Sequence, residues 1–158
     1  MKIHVIAIVA AIMVPNALYA VSVTGNASVQ IQNAITASQT QQMNFGKVTP
    51  AATAGVVTLT PAGVASSSTL GTYGTPAAGR FAITAQPSTA LTVSFANGSV
   101  TNGANSMTVD TFTSTSTPAS NTTDASGNLA LNVGANLNVG ANQAAGTYNG
   151  TYTVTVSY

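Results

Sequence analysis

The last residues of the chain alternate strictly between apolar or small side chains and polar ones. One face would carry Tyr148, Gly150, Tyr152, Val154, Val156 and Tyr158, and the other Asn149, Thr151, Thr153, Thr155 and Ser157. Successive side chains of a β-strand point to opposite faces, so an alternation of this length predicts a strand with one buried face.

A second alternating run occupies Val21–Ile35. Val21, Val23, Gly25, Ala27, Val29 and Ile31 share one face, and Ser22, Thr24, Asn26, Ser28, Gln30 and Gln32 share the other. Chain termini are usually poorly ordered unless they are tied down, so an apolar face here should be buried somewhere. It belongs either to the first strand of the domain's own sheet or to a strand that pairs with another molecule, and the pattern leaves both open.

Shorter runs of the same kind are separated by Gly, Pro, Asn and Ser. They predict strands at Met43–Phe45, Val56–Thr60, Arg80–Thr84, Ala90–Phe95, Ser106–Phe112 and Asn128–Val133, with a short one at Leu137–Val139. Asn97-Gly98 and Asn102-Gly103 are typical of hairpin turns. Since Glu, Lys and Arg are nearly missing, helices have few of their best formers. About seven strands with frequent turns predict an all-β fold, and a sandwich rather than a barrel.

Two local repeats do not change this prediction. Asn-Val-Gly-Ala-Asn occurs at 132–136 and again at 138–142, but a β-solenoid needs more stacked copies to bury a core. A strand followed by a loop is the favoured interpretation. Thr-rich runs at 111–117 and 151–155 resemble the ladders of some ice-binding surfaces, yet they recur at no fixed period.

The first twenty residues have the pattern of a secretory signal. Lys2 precedes the apolar run Ile3–Val14, and Ala17-Leu18-Tyr19-Ala20 ends in a small residue suited to cleavage. A membrane span needs about twenty apolar residues, so an uncleaved anchor is the weaker alternative. The predicted organisation is a signal peptide at 1–20, an amino-terminal strand at 21–35 and a β-sandwich at 36–158. The mature protein would be exported, with no stable membrane insertion.

Charge is nearly missing after residue 20. The ionised side chains there are Lys47, Arg80, Asp110 and Asp124, and the chain has no Cys and a single His, His4, within the signal. A hydroxyl nucleophile needs a base, and metals need clustered ligands, so we expect no enzyme, catalytic residue, metal or cofactor. Counterion release needs several cations, which argues against nucleic acid. Asp110 and Asp124 could form a glycosidase-like pair, but a turn explains Asp124 and a surface or paired position suits Asp110.

Three segments carry a resemblance to known surface proteins. They are Val23–Ile31, the run Met43-Asn44-Phe45-Gly46-Lys47-Val48, and Gly146–Tyr158. Together they resemble pilins of the archaic chaperone–usher class and spore-coat-U-type domains. The chain is more closely similar to an uncharacterised family of Ser/Thr-rich secreted bacterial β-domains that carries the same Asn-Phe-Gly and Asn-Val-Gly-Ala-Asn-Gln segments. Unlike many pilins, the chain has no Cys pair.

The resemblance implies an immunoglobulin-like, pilin-type sandwich that lacks its last strand. The gap would be filled first by a periplasmic chaperone, with an outer-membrane usher as a further partner, and then by the amino-terminal strand of the next subunit in a homopolymer at the cell surface. The implied donor side chains are Val21, Val23, Ala27, Val29 and Ile31. The implied carboxy-terminal contact strand presents Tyr148, Tyr152, Val154, Val156 and Tyr158.

Two functions therefore follow as expectations. The first is a structural, fimbria-like subunit that polymerises by strand insertion and serves cell adhesion. The alternative is a self-contained secreted sandwich that binds glycan or another surface, in which the amino-terminal strand would pair within its own sheet.

Overall fold

The structure is a computed structural model, and it describes residues 20–158. The predicted signal peptide therefore lies, except for Ala20, outside the described residues. The described chain divides into an amino-terminal segment that ends at Ile31 and a body that begins at Gln32. Within residues 20–158 the secondary structure is all β, which confirms the predicted fold class.

The body contains ten strands. They are β1 (Thr36–Gln41), β2 (Lys47–Thr49), β3 (Gly55–Leu59), β4 (Ala65–Ser66), β5 (Gly71–Tyr73), β6 (Gly79–Thr84), β7 (Thr92–Asn102), β8 (Asn105–Thr117), β9 (Asn128–Val139) and β10 (Asn149–Ser157). The main path of the large sheet runs β1-β6-β9-β8-β7-β10, with β3 also paired to β9 and β4 to β3, and every pairing is antiparallel. A small separate sheet joins β2 and β5.

Strand β9 forms the centre of this sheet. Its odd-numbered residues, Leu129, Leu131, Val133, Ala135, Leu137 and Val139, are all buried, while most of its even-numbered residues are Asn or Ala. Its first half pairs with β6 and its second half with β3, and β8 lies along its other side. Both Asn-Val-Gly-Ala-Asn copies begin in this strand, and the second runs on into a turn.

The sheet folds over itself to form the sandwich. Inward side chains of β7 and β10 pack against Ile83, Leu129, Leu131 and Val133, which form one core cluster with Ala85 and Leu91. A second cluster contains Val57, Leu70, Val109, Ala135, Leu137 and Val139. A β-bulge between Asp110 and Thr113 interrupts β8, and Thr111 has a φ of 48°. Bulges bend a strand, and here the half of β8 before the bulge pairs with β7 as well as β9.

Several predicted boundaries were wrong. Residues 21–35 form no strand within the single described chain, whose first strand begins at Thr36; a strand that forms with another molecule stays a prediction. Met43–Phe45 is not a strand; Asn44 makes one isolated bridge to Ala77 before β2 begins. The runs at Asn128–Val133 and Leu137–Val139 are parts of one strand. Four observed strands were not predicted: β1, and the strands β2, β4 and β5, which are only two or three residues long.

Only one of the two Asn-Gly pairs forms a hairpin. Asn102 ends β7 and Gly103 begins the two-residue turn to β8, with a φ of 59°. Asn97-Gly98 instead lies inside β7, opposite a register shift in β10. A Cβ at Gly98 would lie 2.3 Å from the carbonyl oxygen of Thr151, so the glycine permits a close approach of two backbones.

The buried face of β9 gives a direct test of the core. Leu131 is fully buried, and truncating a leucine at such a site removes transfer free energy and leaves a cavity. We expect Leu131→Ala to lower the free energy of unfolding by about 2–5 kcal/mol in urea denaturation. Thr115→Val, a change of similar shape at an exposed position of β8, should shift it by about 0.5 kcal/mol or less. A loss below about 1 kcal/mol for Leu131→Ala would contradict this core assignment.

Candidate strand-binding groove

A groove of about 1180 Å³ opens on the body of the protein. One side is lined by residues from Gln39 to Pro50, and another by residues from Gln143 to Tyr152. The groove reaches down to Val109, Leu137 and Val139 of the core, each of which is 4% exposed. It therefore lies over the second core cluster described above.

The groove is bordered by the two ends of the large sheet. Strand β1 pairs with β6 and β10 pairs with β7, so each has one edge without a partner strand in residues 20–158. Both strands contribute residues to the groove, β1 at Gln39 and Gln41 and β10 from Asn149 to Tyr152. Unpaired edges present a row of main-chain N–H and C=O groups that can pair with another strand.

Proteins commonly protect such edges with charged side chains or proline. Neither β1, with the sequence TASQTQ, nor β10, with NGTYTVTVS, contains either. Lys47 is the only ionised side chain in the groove lining. Both edges thus lack a partner strand in residues 20–158, and neither carries a charged side chain or a proline that would hinder pairing with another strand.

Large apolar side chains around the groove are only partly covered. They are Met43, Phe45, Val48, Val100 and Met107, and all five pack against the second core cluster. A further apolar side chain laid in the groove would remove more of their surface from water, which is favourable by about 25 cal/mol per Å². The groove therefore combines main-chain pairing with an apolar floor.

Tyr152 stands where the two core clusters approach each other. Its ring stacks on Phe112 with centroids 5.2 Å apart and meets Phe81 edge-on at 6.2 Å. Its hydroxyl is buried and has no hydrogen-bond partner among residues 20–158, and burial raises the pKa of this phenol above its ordinary value. Because buried hydroxyls nearly always have partners, this one is unusual.

The structure separates the five predicted residues of the carboxy-terminal strand. Tyr148 and Tyr152 line the groove, whereas Val154 and Val156 pack inward on the first core cluster, the one that contains Leu131. Tyr158, just beyond β10, donates a hydrogen bond to the Asn33 carbonyl and accepts one from the Gln86 N–H at 3.1 Å. The predicted contact strand is thus open at its beginning and closed at its end.

The predicted donor residues lie in the amino-terminal segment that ends at Ile31. Residues 20–31 belong to no strand, and Val21, Val23, Val29 and Ile31 are 84–89% exposed. Ala27 is exposed as well. A set of large apolar side chains this exposed in one short segment is typical of a surface that binds a partner.

The four ionised side chains after residue 20 lie on four different elements of the body. Asp110 accepts hydrogen bonds from the Asn138 amide at 2.9 Å and the Thr111 hydroxyl at 3.1 Å. Arg80 is exposed on β6, and Lys47 begins β2 at the groove. Among residues 20–158 there is no cluster of three His, Cys, Asp or Glu side chains that could hold a metal. The same residues include no helix long and apolar enough to cross a membrane.

Asp124 organises a turn, as its sequence predicts. One carboxylate oxygen accepts the N–H groups of Ser126 and Asn128, each at 2.8 Å, between β8 and β9. The Asn128 N–H is the largest influence that lowers the pKa of this carboxyl below its ordinary value. Beside it, buried Thr123 donates to the Gln86 carbonyl at 2.6 Å and accepts from the Thr89 N–H at 2.9 Å.

The groove wall at Met43–Val48 was the part that sequence reasoning missed. The predicted strand covered only Met43–Phe45, and the residues after it were expected to form a strand end or turn at the surface, not the wall of a groove. Asn44 in fact accepts the Gly46 N–H at 2.8 Å, in a turn where Gly46 has a φ of 80°. A side chain at Gly46 would also meet the Tyr73 carbonyl. This Asn-x-Gly turn signal was available in the sequence.

A comparison with protein families matches residues 35–158 to a family described as a domain of unknown function, DUF4402. The chain belongs to this family. The DUF4402 match contains all ten strands and the groove, and it begins after the exposed segment. No curated protein and no solved structure gave a significant match. The resemblance to pilins and spore-coat-U-type domains thus stays a prediction.

The Asp124 turn of the DUF4402 domain predicts a pH dependence. A carboxyl whose pKa is lowered on folding stabilises the fold above its unfolded pKa, and that stabilisation is lost as the pH falls through the folded value. When unfolding is measured from pH 7 down to pH 2, the free energy of unfolding of the wild type should therefore fall below about pH 3.8, the ordinary pKa of the Asp124 carboxyl. Asp124→Asn, which keeps an acceptor oxygen but does not titrate, should lose less over the same range. Parallel curves for the two proteins would contradict this role.

Proposed function

We propose that the chain is an exported structural subunit that assembles head to tail into an extracellular fibre. Residues 21–31 of one copy would lie in the groove of the next, between β1 and β10. The observation that carries the proposal is the presence, in one chain, of an exposed segment with an apolar face and a groove bordered by two unpaired strand edges.

The segment is long enough to span the groove and is compatible with it in charge. Eleven residues of extended chain span about 36 Å, and the four residues of β10 that line the groove, Asn149–Tyr152, span about 13 Å. Residues 21–35 contain no ionised side chain, so burying them carries no charge desolvation cost apart from that of the α-amino group that cleavage would leave on Val21. Each fully buried Val or Ile would contribute about 1.5–3 kcal/mol before the cost of association.

Main-chain pairing supplies the second part of the interaction. A strand added to an open sheet edge gains hydrogen bonds along its length, while pockets for alternate side chains set the specificity. The inserted segment, residues 21–31 of a second copy, is called the guest strand. In the groove it would have an unpaired strand edge on either side. Its apolar face would then cover Met43, Phe45, Val48, Val100 and Met107.

Open edges also explain the proposed partners before assembly. An unoccupied apolar groove beside two uncharged strand edges is prone to non-specific strand pairing and aggregation. Before assembly, a subunit would therefore need a partner that covers the groove. A periplasmic chaperone that lends a strand, together with an outer-membrane usher, would meet that need. Export through a cleaved signal peptide at 1–20 would place the subunit in that compartment.

The alternative, a self-contained sandwich that binds glycan or another surface, expects the amino-terminal strand in its own sheet. Residues 20–35 form no strand in the described chain, and this observation favours the fibre. The two functions separate in the same experiment, since a self-contained module needs no second copy.

The test uses the body, residues 32–158, and a synthetic peptide of residues 21–35. Both core clusters and the side chains packed on them lie within residues 35–156, so the body should fold without the segment. We expect the body to be monomeric in size-exclusion chromatography and to bind the peptide in calorimetry, while the mature chain polymerises. Fibres formed by the body alone, or no binding of the peptide, would contradict the proposal.

Matched peptide variants test which face of the guest strand enters the groove. Val29→Asn together with Ile31→Asn should weaken binding about 100-fold or more, because two buried side chains are lost. Ser28→Asn together with Gln30→Asn changes the opposite face and should alter affinity by less than about threefold. Equal losses for the two pairs would show that the apolar face is not what the groove recognises.

A further inference from the structure

The hydroxyl of Tyr152 is buried and has no hydrogen-bond partner in the part of the chain that the structure describes, and the side chain lies in the groove wall. The oxygen lies over Gly79 of β6, 2.3 Å from where a Cβ on that glycine would be, and Met43 lies 3.5 Å from the same point. Neither Gly79 nor Met43 offers a side-chain hydrogen-bonding group beyond a weak thioether. The body of the protein therefore leaves this donor unsatisfied.

We propose that Tyr152 is a specificity-determining residue for the guest strand, its hydroxyl donating a hydrogen bond to a main-chain carbonyl of residues 21–31 from a second copy. The inference rests on the proposed function and identifies the side chain that would recognise the guest strand. It also accounts for the buried donor that the body leaves without a partner, since a buried polar group without one is rare and needs an explanation.

The guest must supply a main-chain acceptor because its apolar face has no polar side chain. Between Val23 and Val29 that face carries only Gly25 and Ala27. A glycine inside a strand marks a place where another group approaches the backbone closely. Gly25 is thus the position at which the Tyr152 ring reaches the guest main chain, and Ala27 is the next smallest.

Met43 makes the approach possible. It lies beside the hydroxyl and also lines the groove. Methionine is unbranched and adapts its shape at low cost, so its side chain moves aside as the guest enters. The Tyr152 ring, held by Phe81 and Phe112, stays in place and presents the hydroxyl.

Tyr152→Phe in the 32–158 body tests the inference, with the 21–35 peptide as ligand. The ring and its stacking are kept, so the free body should be as stable as wild type or slightly more stable, since an unsatisfied buried hydroxyl contributes no net stabilisation. Affinity for the peptide should fall about 2- to 12-fold, the value of one hydrogen bond. Stability and affinity would thus move independently, which a merely structural tyrosine would not produce.

Two controls accompany this variant. Tyr73→Phe removes a hydroxyl from an exposed tyrosine outside the groove lining and should leave affinity unchanged. Gly25→Val in the peptide should weaken binding at least tenfold by holding the guest away from the ring. In the free chain no atom lies within 4 Å of a Cβ at Gly25, so the loss would arise in the complex.

The outcomes distinguish the two proposals. Wild-type body that fails to bind the wild-type peptide overturns both. Binding by wild type with equal or tighter binding by Tyr152→Phe overturns the role of the hydroxyl and leaves the proposed function standing. Weaker binding by Tyr152→Phe with unchanged stability supports the inference.

Discussion

The uninterrupted alternation of β9 is the constraint on which the rest of the structure depends. Six inward side chains, from Leu129 to Val139, are each 4% exposed or less, and the strand is hydrogen-bonded on both sides along most of its length. A slip of one residue would turn every one of these side chains outward. This single strand therefore fixes the registers of β3, β6 and β8, and through them the positions of both sheet ends.

The positions of the sheet ends follow from that arrangement. Since β9 and its neighbours take the centre, β1 and β10 are left at the two ends of the strand order, each with one unpaired edge. A closed barrel would have removed both edges. Here the gap holds the groove, and Tyr158 with Asn33 and Gln86 joins its walls at one end only. The site is thus a consequence of a sheet that folds over without closing.

Much of this fold could be predicted from the sequence, because alternation is a local signal. The strands β3, β6, β7, β8, β9 and β10 all carry it. β3, β6 and β10 were expected close to their observed bounds, whereas β7 and β8 were predicted at about half of their observed length and β9 as two strands. The short strands β2, β4 and β5 could not be predicted, since two or three residues do not establish a period. β1 was missed because TASQTQ has no apolar face to distinguish it. Its residues are almost all exposed, and it is held by main-chain pairing with β6 and by hydrogen bonds from Thr36 and Thr40 to that strand.

The candidate site could be predicted in its chain segments but not in its geometry. Alternation placed Tyr152 and Val154 on one face, yet only the folded chain shows that the first lines a groove while the second closes the core. The wall at Met43–Val48 and the glycine beneath the Tyr152 hydroxyl come from distant parts of the sequence. Their meeting depends on pairings such as Asn44 with Ala77, for which a single sequence gives no signal.

The scarcity of charge takes on a physical meaning in this setting. The sandwich has no cysteine, so it has no disulfide, and its two end strands carry no charged side chains. Pairing at those strand edges therefore meets no charge repulsion and is prevented mainly where another segment covers the edge. An association built on apolar burial and main-chain hydrogen bonds releases few counterions. Its strength would therefore change little with salt, whereas surface ion pairs are screened within about 8 Å at physiological ionic strength. A composition with so little charge thus suits the proposed strand shared between copies over a wide range of salt concentrations.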